Sequence, residues 1–203
     1  MKILAIGRNY AEHIAELNNE RPSEPVIFMK PDTALLKNNA PFYYPDFSKD
    51  IHHEVEIILR IGKEGKNIEE RFAHKYVDGI GLGIDFTARD LQEKAKQKSL
   101  PWTIAKGFNG SAPVSEFLDP AQFPDWSNIA FRLEVDGIEK QSGHTSHMLF
   151  SFAYQIAYLS QYFTLKKGDI LFTGTPKGVG PVHIGNRLTA YLENQKMLDF
   201  EVK

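Results

Sequence analysis

The chain has 203 residues, with 24 Lys and Arg against 26 Asp and Glu, which is long enough for one domain with a sizeable core. A net charge of −2 leaves no basic footprint for nucleic acid and no acidic tail. No cysteine is present, which excludes disulfides, thiolate metal sites and a cysteine nucleophile and fits a reducing cytoplasm.

In chain order, residues 1–8 form too short an apolar run for a signal peptide. Residues 2–6 read as a strand, 10–18 as a short helix, and the stretch through Pro25 as a polar loop, whose character permits a lid without requiring one. A brief strand at 26–29 precedes an irregular region from 32 to 50, which carries Pro41 and Pro45. Residues 54–61 alternate most clearly and predict a strand. A helix over 68–76 and a glycine-rich strand over 79–86 follow, then a polar helix to Lys98 capped by Thr87. Asp136-Gly137 between apolar runs at 129–135 and 138–141 is a hairpin signal. A buried helix over 148–162 is too short and too interrupted, at Ser151 and Gln155, for a membrane span. Strands at 169–173, 187–193 and 198–202 complete a β-rich α+β pattern.

The most informative residues are Glu54 and Glu56, with Asp85 after the glycine-rich segment. A strand sends residues i and i+2 to one face, so the two glutamates project together while Val55 and Ile57 face a core. If Asp85 ends a neighbouring strand, three carboxylates converge, and they stay ionised together only beside a cation. Oxygen-only ligands suit Mg²⁺ first, with Mn²⁺ or Ca²⁺ also compatible. The competing readings are a solvated strand face for the glutamates and a helix N-terminal position for Asp85.

His13 and Glu16 share a helix face, an arrangement in which the carboxylate orients an imidazole general base; an exposed surface pair is the alternative. Arg89 and Gln92 have the same spacing and can hold a substrate carboxylate, and Thr175 lies in a Gly-Thr-Pro turn able to meet an anion. Lys30 and Lys106 sit among apolar residues, where cations ordinarily snorkel outward. His52, His53 and His74 read as surface or supporting groups, and His144 and His147 receive no role. His53-Glu54-Val55-Glu56-Ile57 lacks the second histidine of a zinc-protease helix. The segments 79–83 and 174–180 match neither a dinucleotide fingerprint nor a P-loop.

The stretches Gly7-Arg8-Asn9-Tyr10-Ala11-Glu12-His13, Phe28-Met29-Lys30-Pro31, His52-His53-Glu54-Val55-Glu56, Asp85-Phe86-Thr87-Ala88-Arg89-Asp90, Leu100 to Lys106 and Leu171 to Gly180 together resemble the fumarylacetoacetate hydrolase superfamily. The likeness covers almost the whole chain and is strongest to the small acylpyruvase and oxaloacetate decarboxylase branch, without the larger enzymes' N-terminal domain. It implies one catalytic domain over 1–203, a mixed β-sandwich roll and a homodimer. It also implies Mg²⁺ or Mn²⁺ on Glu54, Glu56 and Asp85. It places a water-activating dyad on His13 and Glu16 and an enolate stabiliser on Lys106. Lys30, Arg89, Gln92 and Thr175 would line the pocket for a small 2-oxo acid. His144 departs from the acidic or amide residue more usual among relatives. The implied reactions are acylpyruvate C–C hydrolysis and oxaloacetate decarboxylation. Keto–enol tautomerisation, diene-dioate isomerisation and a non-catalytic metal-binding role are the alternatives.

Overall fold

Short apolar runs, continuous in some segments and alternating in others, form fourteen strands among the described residues, 1–16 and 20–203, of the computed structural model. The chain runs β1 (Ile3–Gly7), α1 (Ala11–Glu16), β2 (Val26–Lys30), β3 (Leu35–Leu36), β4 (Ile51–His53), β5 (Val55–Ile61), β6 (Val77–Ile84) and β7 (Thr87–Ala88). It continues through α2 (Arg89–Gln97), α3 (Thr103–Lys106), β8 (Ala112–Pro113), β9 (Ala130–Val135), β10 (Ile138–His144) and α4 (Phe152–Tyr162). It ends with β11 (Ile170–Phe172), β12 (Gly180–Pro181), β13 (Arg187–Leu192) and β14 (Gln195–Glu201). The architecture is β-rich α+β.

A five-stranded sheet has the order β2-β1-β11-β5-β6, and a four-stranded antiparallel sheet the order β10-β9-β13-β14. Only β1 and β11 pair in parallel within the larger sheet. Val55, Ile57, Leu59, Leu82 and Ile84 share one core with Leu133, Leu188, Leu198 and Phe200 of the smaller sheet. On the other side, Ile58 and Phe172 pack with Ile3, Ala5, Ala112 and Val114. The larger sheet is therefore buried on both faces, which is why its strands read as nearly continuous apolar runs.

The glycines of β6 fall on alternate positions and so on one face. A Cβ on Gly79 would come within 2.7 Å of Phe117, and one on Gly83 within 2.6 Å of Phe172. Their bare backbone admits the segment that carries Val114 and Leu118, which bridges to Gly83 and Ile80.

Several boundaries differ from expectation. Helix α1 covers 11–16 of the predicted 10–18; positions 17 and 18, with 19 of the loop after them, lie outside the described residues. Residues 70–76 form a 3₁₀ turn instead of an α-helix. Thr87 does not cap α2: the first residue before the helix is Ala88, and the Thr87 hydroxyl donates back to the Asp85 carbonyl at 3.2 Å. Helix α4 begins at Phe152, because Asn9 accepts from the backbone N–H groups of Leu149 and Phe150 and Ser151 caps the Tyr154 N–H.

Candidate active site

The register of β5 on β6 pairs Val55 with Ile84 and Glu56 with Gly83. One step further, the Asp85 N–H donates to the Glu54 carbonyl at 2.8 Å, so Glu54 and Asp85 stand opposite each other at the sheet end. Gly83, opposite Glu56, occupies no side-chain space there. Each residue of the triad offers a carboxylate oxygen within 4.8 Å of the others. Their exposures are 4%, 2% and 0% for Glu54, Glu56 and Asp85. This overturns the solvated strand face, and Asp85 is no helix cap. Like charges placed opposite one another are unfavourable, so the surroundings must supply compensation.

Three buried cations do so. Lys106, at the end of α3, places its ammonium 2.8 Å from Glu54 and 2.6 Å from Asp85. Burial alone would depress its pKa, but Asp85 and Glu54 carry it above the ordinary value. Arg89, the first residue of α2, bonds Glu54 and donates to Gln92 Oε1. Burial opposes ionisation of Glu54, yet Lys106 and Arg89 hold its carboxyl far below the usual range. Lys30 closes β2 with its Nζ 2.6 Å from Asp85, and it also donates to the carbonyls of Phe86, Lys106 and Ser111. Both lysines point inward, against the expectation of snorkelling.

Glu56 differs from its neighbours. Among the described residues no Lys or Arg pairs with it, and its one hydrogen bond comes from the Gly174 N–H at 2.7 Å. Burial, and then Asp85, raise its pKa well above the usual carboxylate range. Asp85 Oδ1 is buried and accepts no hydrogen bond, since the nearby Lys30 ammonium lies outside bonding geometry. Glu56 is thus the member of the triad that has no direct ion pair among the described residues. An all-oxygen donor set with these features fits a hard divalent cation.

The His13 ring is buried, with Nδ1 3.3 Å from Glu16 Oε2. The other Glu16 oxygen accepts the Gly178 N–H at 2.9 Å, which fixes α1 against the loop after β11. Burial lowers the His13 pKa more than Glu54 and Glu16 raise it, so the ring is a neutral base near pH 7.

His13, the triad, Lys106, Arg89, Gln92 and Thr175 line one cavity. Glu16 stands behind His13, outside the lining. Lys30 also departs from its expected place: it lies under the floor, ion-paired with Asp85 and hydrogen-bonded to backbone. Thr175 donates its hydroxyl to the Val55 carbonyl and accepts from Gln141, which leaves its backbone N–H as the group it can offer an anion. His53 is wholly inside, hydrogen-bonded to Gln141. Residues 142, 143 and 147 border a separate cleft with Tyr10 and Pro176, so the His144 segment stays off the cavity.

Sequence reasoning missed Arg8, Phe28 and Trp102, which line the same cavity, and Gln141, which braces Val55, His53 and Thr175. Arg8 sits inside a stretch already singled out. Gln141 carries no signal in a strand of otherwise polar residues.

A profile of the family described as fumarylacetoacetate (FAA) hydrolase C-terminal matches residues 2–203. The mitochondrial oxaloacetate tautomerase of Bos taurus is 43% identical over 201 residues, covering 99% of this chain and 91% of that protein. The mitochondrial oxaloacetate decarboxylase of Dictyostelium discoideum is 48% identical over 185 residues, covering 91% and 85%. A crystal structure of fumarylpyruvate hydrolase from Pseudomonas aeruginosa, in complex with Mn²⁺ and pyruvate, superposes with a TM-score of 0.94 at 34% identity, covering all of this chain and 89% of that one. With its buried acidic triad, its two-sided sheet and these relatives, the chain belongs to the fumarylacetoacetate hydrolase family.

Proposed function

We propose that this chain is a Mg²⁺- or Mn²⁺-dependent enzyme of 2-oxo diacids that works through an enolate, with oxaloacetate as the substrate its site fits best. The observation that carries this is charge balance. Three buried carboxylates face three buried cations, Lys30, Lys106 and Arg89. A divalent ion adds two positive charges, and a dicarboxylate restores neutrality in a site where unbalanced charge is costly. Glu54, Glu56 and Asp85 would hold the ion, which when bound supplies Lewis-acid polarisation of the 2-oxo acid. Lys106 places positive charge where the enolate oxygen develops. Arg89 and Gln92 orient a carboxylate, and the Thr175 N–H adds a neutral donor. His13, held by Glu16, takes or returns a proton at the substrate's C3, as tautomerisation requires. Relatives named oxaloacetate tautomerase and decarboxylase support this reading.

A second reading is C–C hydrolysis of an acylpyruvate, favoured by the neutral, carboxylate-braced His13. There His13 deprotonates a water that attacks the distal carbonyl, and the pyruvate enolate leaves. The test follows oxaloacetate and acetylpyruvate by ultraviolet absorbance and product NMR, with Mg²⁺ and with chelator. Metal-dependent enol decay of oxaloacetate without pyruvate supports tautomerisation, pyruvate with CO₂ decarboxylation, and pyruvate from acetylpyruvate hydrolysis. Inertness of both substrates would overturn this reading and point to a diene-dioate isomerase or a non-catalytic metal-binding module.

The protein is further proposed to be a homodimer, supported by exposed Leu100 and Ile104 beside an apolar cleft of Phe28, Pro31 and Pro101; light scattering tests it. No helix among the described residues is long and apolar enough to cross a membrane. A cytoplasmic location rests on the cysteine-free composition, whereas the relatives from Bos taurus and Dictyostelium are named mitochondrial; cell fractionation decides between these compartments.

A further inference from the structure

Arg8 follows β1 and lines the same cavity as the triad. The other cations of that cavity already have acids: Lys106 and Arg89 meet Glu54, and Lys96 meets Glu93 at 2.7 Å. Arg8 has no carboxylate partner among the described residues, and its guanidinium lies 5.9 Å from the Trp102 ring centre. Its backbone has φ of 60°, the left-handed region that a non-glycine residue enters at a cost. The next residue is firmly anchored. Asn9 is fully buried, and its side-chain amide donates to the carbonyls of Thr173 and Phe150 and accepts the Phe150 N–H. The chain thus maintains an unfavourable backbone conformation that sets an unpaired, half-buried guanidinium on the wall of the acidic cavity. Strain of this kind gathers where a side chain must be aimed.

We propose that Arg8 is a specificity-determining residue that takes the distal carboxylate of a dicarboxylate 2-oxo acid. This rests on the reading of the site as one for 2-oxo diacids. The carboxylate next to the oxo group lies at the Arg89 and Gln92 end, and the one at the far end of the carbon chain meets the Arg8 fork. A planar guanidinium suits a carboxylate through two parallel N–H donors, and Trp102 holds the cation in place.

The test compares wild type with Arg8→Gly and Arg8→Lys. Glycine accepts the left-handed backbone without strain, so Arg8→Gly removes the guanidinium with no loss of thermal midpoint. The expected result is a rise in KM for oxaloacetate of about 10- to 100-fold, the range of a charge-assisted hydrogen bond, with a far smaller change in kcat. Arg8→Lys recovers only part of it. Calorimetry on the Mg²⁺-loaded protein supplies a readout independent of turnover. In wild type, 2-oxoglutarate binds more tightly than 2-oxobutyrate, which lacks a distal carboxylate, and Arg8→Gly collapses that ratio. A ratio preserved in Arg8→Gly, or a KM unchanged, overturns the role of Arg8. Absence of wild-type oxaloacetate turnover would instead count against the proposed reaction, while the binding ratio still decides the question of Arg8.

Discussion

At Glu56, burial and two neighbouring carboxylates oppose ionisation, and they outweigh the Gly174 N–H and the charge of Lys106, which favour it. A metal ion would supply the counter-charge this carboxyl lacks, so Glu56→Gln should weaken Mn²⁺ binding at least about tenfold and abolish metal-dependent turnover. Titration calorimetry measures the first, and undiminished activity of the variant would refute the ligand assignment. Lys30 belongs to a different class of residue. It is 1% exposed, and removing its ammonium leaves the buried Asp85 with Lys106 as its remaining ion-pair partner among the described residues. Lys30→Met should therefore cost about 3–5 kcal/mol of stability in urea denaturation, with metal present or absent; a variant as stable as wild type would show that Asp85 needs no such partner. His13→Ala should lose acylpyruvate hydrolysis more than oxaloacetate decarboxylation, since only the former needs an activated water; equal losses would give His13 another task. Of these residues, the i, i+2 glutamates were readable because strand geometry alone puts them on one face. The inward turn of Lys30 was not readable, because its partners Asp85, Phe86 and Ser111 lie far along the chain.

Strand β6 shows what an element contributes. Its alternating glycines look like a weakening of the strand, yet they provide the close approach that lets Phe172 and the 114–118 segment cover it. Gly83→Ala would drive a Cβ to 2.6 Å from the Phe172 ring. Overpacking of this type costs about 1–3 kcal/mol, and because Gly83 faces Glu56 in register, the shift should also disturb metal affinity. A thermal midpoint equal to wild type would show that the ring relaxes freely. The strand was legible from its apolar alternation and the hairpin at Asp136-Gly137 from its turn chemistry, since both signals are local. Helix α4 was overextended because the hydrogen bonds that hold Leu149 and Phe150 come from Asn9, some 140 residues earlier in sequence. Thr87 misled for a related reason: a hydroxyl near a helix start has more than one backbone group within reach, and here it chose the Asp85 carbonyl.

Across the whole molecule, the parallel pairing of β1 with β11 joins segments far apart in sequence and is braced at Asp169. That carboxylate accepts the Lys2 N–H at 2.8 Å and the Lys166 N–H at 2.8 Å, and it pairs with the Lys2 ammonium. Burial pushes its pKa up, but the Lys2 side chain and the two N–H donors outweigh burial and hold it below the ordinary value. The folded pKa being the lower one, the contribution to stability is complete above the unfolded value of about 3.9. It is lost as pH falls through the folded value. Asp169→Asn should be less stable at pH 7 and show a shallower acid loss; parallel pH profiles of stability for both proteins would refute this. The sequence by itself determined the β-rich pattern, the shared face of Glu54 and Glu56, and the residue types of a hard-cation site, because those follow from local periodicity and donor chemistry. Only the tertiary structure decided that Asp85 stands opposite Glu54, that Lys30 supports the floor, that Gln141 braces the wall and that Arg8 reaches the cavity. Each depends on strand register or on hydrogen bonds between distant segments, which no local window of sequence contains.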